Sequence, residues 1–145
     1  MFDRALAEVG ISRADVYVTN VVKHFKWEAR GKRRIHQTPR ASEIQACRPW
    51  LEAELARIKP AMVVCLGSTA AQALLGPQIR ILRSRGQIFR TSIAAWVMAT
   101  LHPSAILRAD DPAAGEATYR MLVEDLGKVA ERLRVDRGPD AGVTI

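Results

Sequence analysis

Apolar residues fall in two rhythms along this chain, one helical and one extended, and the two alternate. Phe2, Leu6 and Val9 recur at helical spacing and Gly10 closes them off, which predicts a short amphipathic helix over Phe2 to Val9. Val16-Tyr17-Val18-Thr19-Asn20-Val21-Val22 is dense in β-branched residues and predicts a buried strand. Ser42 to Ile58 reads as a second helix, opened by a Ser42/Gln45 capping box, with Ile44, Cys47, Leu51, Leu55 and Ile58 on one face. Pro49 conflicts with that helix, because it removes a backbone donor and crowds the preceding turn. The helix therefore either begins near Pro49 or kinks there.

Pro60 punctuates the chain before a fully apolar strand, Met62 to Leu66. Gly67-Ser68-Thr69 then turns into a helix, Ala70 to Leu75, which Gly76-Pro77 stops. Ile79 to Phe89 reads as strand material interrupted by a polar turn, Arg83-Ser84-Arg85-Gly86, and Ala94 to Leu101 as a further apolar strand running into His102-Pro103-Ser104. A helix over about Ala113 to Leu133 carries Tyr119, Leu122, Val123, Leu126, Val129, Ala130 and Leu133 inward. These elements form one domain, residues 1–134, and 135–145 read as a flexible tail.

Helix and strand alternate throughout, so the expected fold class is α/β, layered around a mainly parallel central sheet. Ligands of such sheets sit beyond the carboxyl ends of the strands. Asn20, Gly67-Ser68 and His102-Pro103-Ser104 all fall at such ends. The topology thus predicts that they gather on one rim.

Charge sharpens this picture. The chain of 145 residues carries a net charge of +7, which favours an acidic partner, nucleic acid before an anionic membrane surface. No apolar run approaches the roughly 18 residues of a spanning helix, so no membrane partner is expected. Cys47 and Cys65 stand alone and no export signal is visible, which reads as a reducing, cytoplasmic setting. Between Lys23 and Arg40 lie seven Lys or Arg and one acid, Glu28, together with Phe25, Trp27, His24 and His36. Lys32-Arg33-Arg34-Ile35-His36 is the densest part of this window. It suits gripping a polyanion and presenting an imidazole to it, although a solvated basic loop has the same composition.

Individual groups leave alternatives open. Asn20 carries an amide that donates and accepts at once, which fits the edge of a nucleobase and equally fits loop backbone. His102 is held extended by the following proline and can direct a donor at developing negative charge, or simply shape a turn. Gly67-Ser68-Thr69 lacks the lysine and second glycine of a P-loop and reads best as a strand-to-helix cap. Arg83-Ser84-Arg85-Gly86 fits a DNA-backbone contact or a surface turn equally well. Cys65 reads as a small core residue.

Taken together, Val18-Thr19-Asn20-Val21-Val22-Lys23-His24-Phe25-Lys26, Lys32-Arg33-Arg34-Ile35-His36, Cys47-Arg48-Pro49-Trp50-Leu51, Leu66-Gly67-Ser68-Thr69-Ala70-Ala71 and His102-Pro103-Ser104 resemble the family 4 uracil-DNA glycosylases, and within them the UdgX branch. The resemblance implies a three-layer glycosylase fold and uracil-containing DNA as partner, with the protein acting as a monomer in the bacterial cytoplasm near the nucleoid. Asn20 would read uracil, and His102 would stabilise negative charge on the departing base. His36 would capture the sugar covalently, while Lys32, Arg33, Arg34 and Ser104 would contact DNA. It also implies a [4Fe-4S] cluster, with Cys47 matching a ligand position and His24 standing where another cysteine is usual. Family members begin with a Cys-x-x-Cys helix, a strand and a Gly-Glu-x-Pro-Gly loop, none of which is present here. The expectation is therefore an N-terminally truncated member lacking its first strand and helix, in which cluster binding is doubtful. A uracil-DNA-binding module with impaired catalysis is the alternative.

Overall fold

A computed structural model describes residues 1–24, 27–30 and 33–137, with the backbone alone at 29, 30, 33–36 and 137. Its order is α1 (Phe2–Glu8), a 3-10 turn (Arg13–Asp15), β1 (Trp27–Arg30), β2 (Arg33–His36), α2 (Ala41–Ile58), β3 (Val63–Leu66), α3 (Gly67–Leu75), α4 (Ile81–Ser84), β4 (Ile88–Phe89), β5 (Val97–Thr100), α5 (Pro103–Leu107) and α6 (Pro112–Arg137).

The centre is a three-stranded sheet in the order β3-β5-β4. β3 and β5 run parallel with Val63 opposite Val97 and Leu66 opposite Thr100, while β4 pairs antiparallel with β5. All four residues of β5 are buried, as a strand covered on both faces must be. Side chains alternate across a strand, and here the alternation divides the core in two. Met98 on β5 joins Val64 and Leu66 of β3 against α1 and α6, with Leu6, Tyr119, Leu122, Leu126 and Val129. Val97 and Ala99 join Cys65 against α3, with Ala71 and Ile79. The result is the layered α/β arrangement that the sequence predicts, around a mixed sheet.

Local chemistry explains the element boundaries. Glu43 accepts the Arg40 backbone N–H at 2.6 Å, so α2 opens two residues earlier than the Ser42/Gln45 pairing predicts. Pro49 lies inside the continuous helix and its side is exposed to solvent. Lys59 closes α2 in the left-handed region at φ 50°, its N–H returning to the Leu55 carbonyl. α6 runs to Arg137, past the predicted end at Leu133, and 138–145 lie outside the described residues.

Three expectations change. No strand forms over Val16 to Val22: Val16 is extended, at φ −112° and ψ 116°, yet no described strand pairs with the segment, and Tyr17 and Val18 stay exposed. A strand needs a partner ladder as well as the right residues. Ile81–Ser84 is a helical turn rather than strand, because Arg83 and Ser84 donate their N–H groups back to the Arg80 carbonyl. Part of the basic window is ordered, as an antiparallel hairpin that places Trp27 opposite His36 and Glu28 opposite Ile35.

Candidate functional site

The predicted rim assembles in part. β3 ends at Leu66 and α3 starts at once with Gly67, while β5 ends at Thr100 and leads through Leu101 to His102. Gly67 has φ +84°, and a Cβ built there would lie 3.0 Å from the His102 Cβ. The turn after β3 therefore lies directly against the histidine after β5, and only glycine permits both the backbone and the approach. Parallel pairing of the two strands brings their carboxyl ends, and these two features, side by side.

His102 is the N-cap of α5. Its Nδ1 accepts the Ser104 backbone N–H at 3.1 Å and lies 2.8 Å from Ser104 Oγ. An Nδ1 that accepts from a backbone amide is unprotonated, so the ring proton of the neutral form resides on Nε2. Partial desolvation, with the positive Arg108 nearby, lowers the His102 pKa below the ordinary imidazole value. The ring is thus a neutral Nε2–H donor at neutral pH. Ser104, expected to contact DNA, holds this ring with both its amide and its hydroxyl.

Asn20 is exposed, and its neighbours are anchored to α2. Thr19 Oγ1 donates to Glu54 at 2.8 Å, and Lys23 Nζ reaches Thr19 Oγ1 at 2.6 Å and Glu54 at 2.7 Å. The hydrogen bond from Lys23 pulls the Glu54 carboxyl below its ordinary pKa, against a smaller desolvation effect. Lys23 also donates its backbone N–H to Cys47 Sγ at 3.4 Å. The Lys23 ammonium is thus held by Glu54 and Thr19.

Cys47 and His24 are brought together, with Sγ 3.7 Å from Nδ1. A [4Fe-4S] cluster takes four protein ligands, normally thiolates. Among the described residues no group of three or more Cys, His, Asp or Glu gathers to hold a metal. Among the described residues, Cys47 and His24 would therefore supply at most two positions and do not complete the set. Cys65 is no third ligand: it packs in the sheet core beside Ala71 and Ala99, where desolvation pushes its thiol up to about 12.

Lys32 lies outside the described residues, and β2 gives Arg33, Arg34 and His36 by backbone alone. Their part in the rim remains an expectation from sequence.

The sequence reading missed two groups. One is Glu54, half-buried on the same face of α2 as Cys47, Leu51 and Ile58, whose partner Thr19 is 35 residues away and so is not legible from local pattern. The other is Asp125, fully buried on α6, whose Oδ2 accepts from Thr100 Oγ1 at 2.6 Å and from Arg85 Nε at 3.0 Å. Asp125 did carry a signal, since it lies three residues after Leu122 and four before Val129, on the buried stripe. A carboxylate there requires a partner. Arg85 is that partner, and it also bonds the Met121 carbonyl and Glu124, so this arginine of the Arg83–Gly86 turn is not free for DNA.

The sequence profile of the Uracil DNA glycosylase superfamily matches residues 1–127. The chain is 34% identical over 124 residues to a type-4 uracil-DNA glycosylase of Thermotoga maritima, covering 85% of this chain and 59% of that protein. It is 32% identical over 115 residues to a type-4 uracil-DNA glycosylase of Pyrobaculum aerophilum, covering 74% and 55%. A type-4 uracil-DNA glycosylase of Archaeoglobus fulgidus is 33% identical over 111 residues, covering 70% and 51%. The chain spans a little over half the length of the curated relatives it matches.

Proposed function

The chain belongs to the uracil DNA glycosylase superfamily, and from that premise we propose that it binds uracil in DNA and contributes the catalytic rim of an N-glycosidic bond cleavage. One observation carries the reading: a neutral imidazole, its Nδ1 tied to Ser104 and its Cβ against Gly67, stands at the end of β5 as a fixed Nε2–H donor. Such a donor matches what glycosidic cleavage demands. As the C1′–N1 bond breaks, its electron pair passes into the uracil ring, and a hydrogen bond from His102 to the base oxygen stabilises that anion. The target base must leave the stack to be reached. Asn20, exposed on an anchored segment, reads the base edge. The basic window, with Lys32, Arg33 and Arg34, meets the phosphates.

His36 belongs to the same proposal. A neutral imidazole is a competent nucleophile near pH 7. Its nitrogen attacks C1′ as uracil departs, a C1′–N bond forms, and the ring loses a proton to solvent. This capture is the behaviour of the UdgX branch that the basic-His stretch resembles. Cys47 and His24 remain candidate metal ligands, but no step of the proposed reaction passes through a cluster.

Incubating the protein with a uracil-containing single strand, then separating products on a denaturing gel, tests the reading. The expected result is a protein–DNA adduct that disappears in His36→Ala and weakens in His102→Ala. A binding-only protein instead shows preference for uracil over thymine strands with no adduct and no released base. Absence of adduct, base release and uracil preference alike would refute the proposal.

A further inference from the structure

Beside the strand-end rim lies an open groove of about 470 Å3 between α3 and α4. Ser68, the residue after the Gly67 that abuts His102, lies at its edge. Ile79, Ile81 and Leu82 form its apolar lining, and Arg80 and Arg83 its cations. No acidic residue lines it. Leu82 is 76% exposed.

The two arginines differ in their ties. Arg80 Nη1 donates to the Pro77 and Ile79 carbonyls at 2.8 and 3.3 Å, which fixes its guanidinium while leaving its charge uncompensated. Arg83 is exposed on α4, and among the described residues neither arginine pairs with a carboxylate. Arg85, two residues on, is by contrast held by Asp125 and Glu124. The turn thus separates a structural arginine from outward-facing ones.

We infer that this α3–α4 groove is a second nucleic-acid contact, in which Arg83 and Arg80 meet the backbone of the strand flanking the target nucleotide and Leu82 meets an unstacked base. The inference rests on the reading of the rim as a DNA site. Charge complementarity and continuity with that rim through Ser68 argue for DNA as the occupant. A bare cation patch would suit any polyanion, whereas cations set along an apolar groove suit a chain of phosphates carrying apolar faces.

The test is fluorescence anisotropy of the chain with a labelled single-stranded oligonucleotide lacking uracil, titrated over a range of salt. One lost phosphate contact on single-stranded DNA lowers the log–log salt slope by about 0.7, which is roughly a fivefold loss of affinity at 0.1 M salt. Arg83→Gln should show that loss, and Leu82→Ala should weaken binding with the slope unchanged. Arg134→Gln, the same charge change at an exposed site beside Gly10, should show neither effect. Because the groove grips backbone, the ratio of uracil to thymine affinity should stay constant in Arg83→Gln. If Arg83→Gln behaves like Arg134→Gln while the unmodified chain binds DNA, the groove assignment is wrong and the rim reading stands. Equal competition by poly-glutamate overturns the groove as a DNA contact. Failure of the unmodified chain to bind any DNA removes both.

Discussion

Replacing Asp125 by alanine tests whether one buried carboxylate locks the carboxyl end of β5 to α6. Asp125 has no exposed surface and its Oδ2 holds two donors, the Thr100 hydroxyl and the Arg85 guanidinium. Breaking a buried ion pair from one side costs about 3–5 kcal/mol. Arg85 keeps the Met121 carbonyl and Glu124 and its side chain is 18% exposed, so the low end of that range applies, about 3 kcal/mol. The stranded Thr100 hydroxyl, fully buried, adds about 1 kcal/mol. With a urea slope of about 1.5 kcal/mol per molar for a domain of this size, the total of about 4 kcal/mol moves the unfolding midpoint down by roughly 2.5 M. Thr100→Val preserves shape and removes one hydrogen bond to a charged acceptor, so it should cost about 1.5–2 kcal/mol. Gly86→Ala attacks the same lock from outside, because a Cβ there would fall 2.5 Å from Asp125 Oδ1 at a φ of +70°. Equilibrium urea unfolding followed by far-UV circular dichroism reads all of these. The decisive number is the coupling between Thr100→Val and Asp125→Ala, which should reach about 1 kcal/mol. If the two changes simply add, or if Asp125→Ala costs less than about 1 kcal/mol, the network does not hold the strand end.

The remaining expectations are more local. Gly67→Ala should strain the turn after β3 and displace His102, with uracil-DNA capture falling more than stability; unchanged capture would show that the contact is idle. In a proton NMR titration, His102 should show the Nε2–H tautomer and a midpoint below the ordinary imidazole value. Since the folded state then binds fewer protons than the unfolded one, the contribution of His102 to stability is complete above the unfolded pKa and falls as pH drops through it. Cys65 should resist alkylation in native protein at pH 8, while Cys47 reacts faster. A thiol pushed from 9.0 to about 12 contributes stability that is complete below the unfolded pKa and lost as pH rises toward the folded one. Unfolding curves of Cys65→Ala should therefore lack that alkaline decline, and an identical decline would place its source elsewhere.

Repeating local patterns were enough to reveal part of this protein. The continuous apolar runs of β3 and β5, the inward stripe of α6, and the placement of Gly67 and His102 at strand ends were all legible locally, because burial on a strand or helix face is decided residue by residue. The quoted motifs likewise pointed to the superfamily whose profile covers most of the chain. Pairing across distance was decided elsewhere. Asp125 is joined to Arg85 across 40 residues, Thr19 to Glu54 across 35, and Cys47 to His24 across 23. The β-branched run at Val16 to Val22 had the composition of a strand and found no described strand to pair with, while β4 joined the sheet antiparallel. A residue's propensity is a property of its own backbone and side chain, but a hydrogen-bond or ion-pair partner is chosen only when packing brings distant segments together. That choice belongs to the tertiary structure.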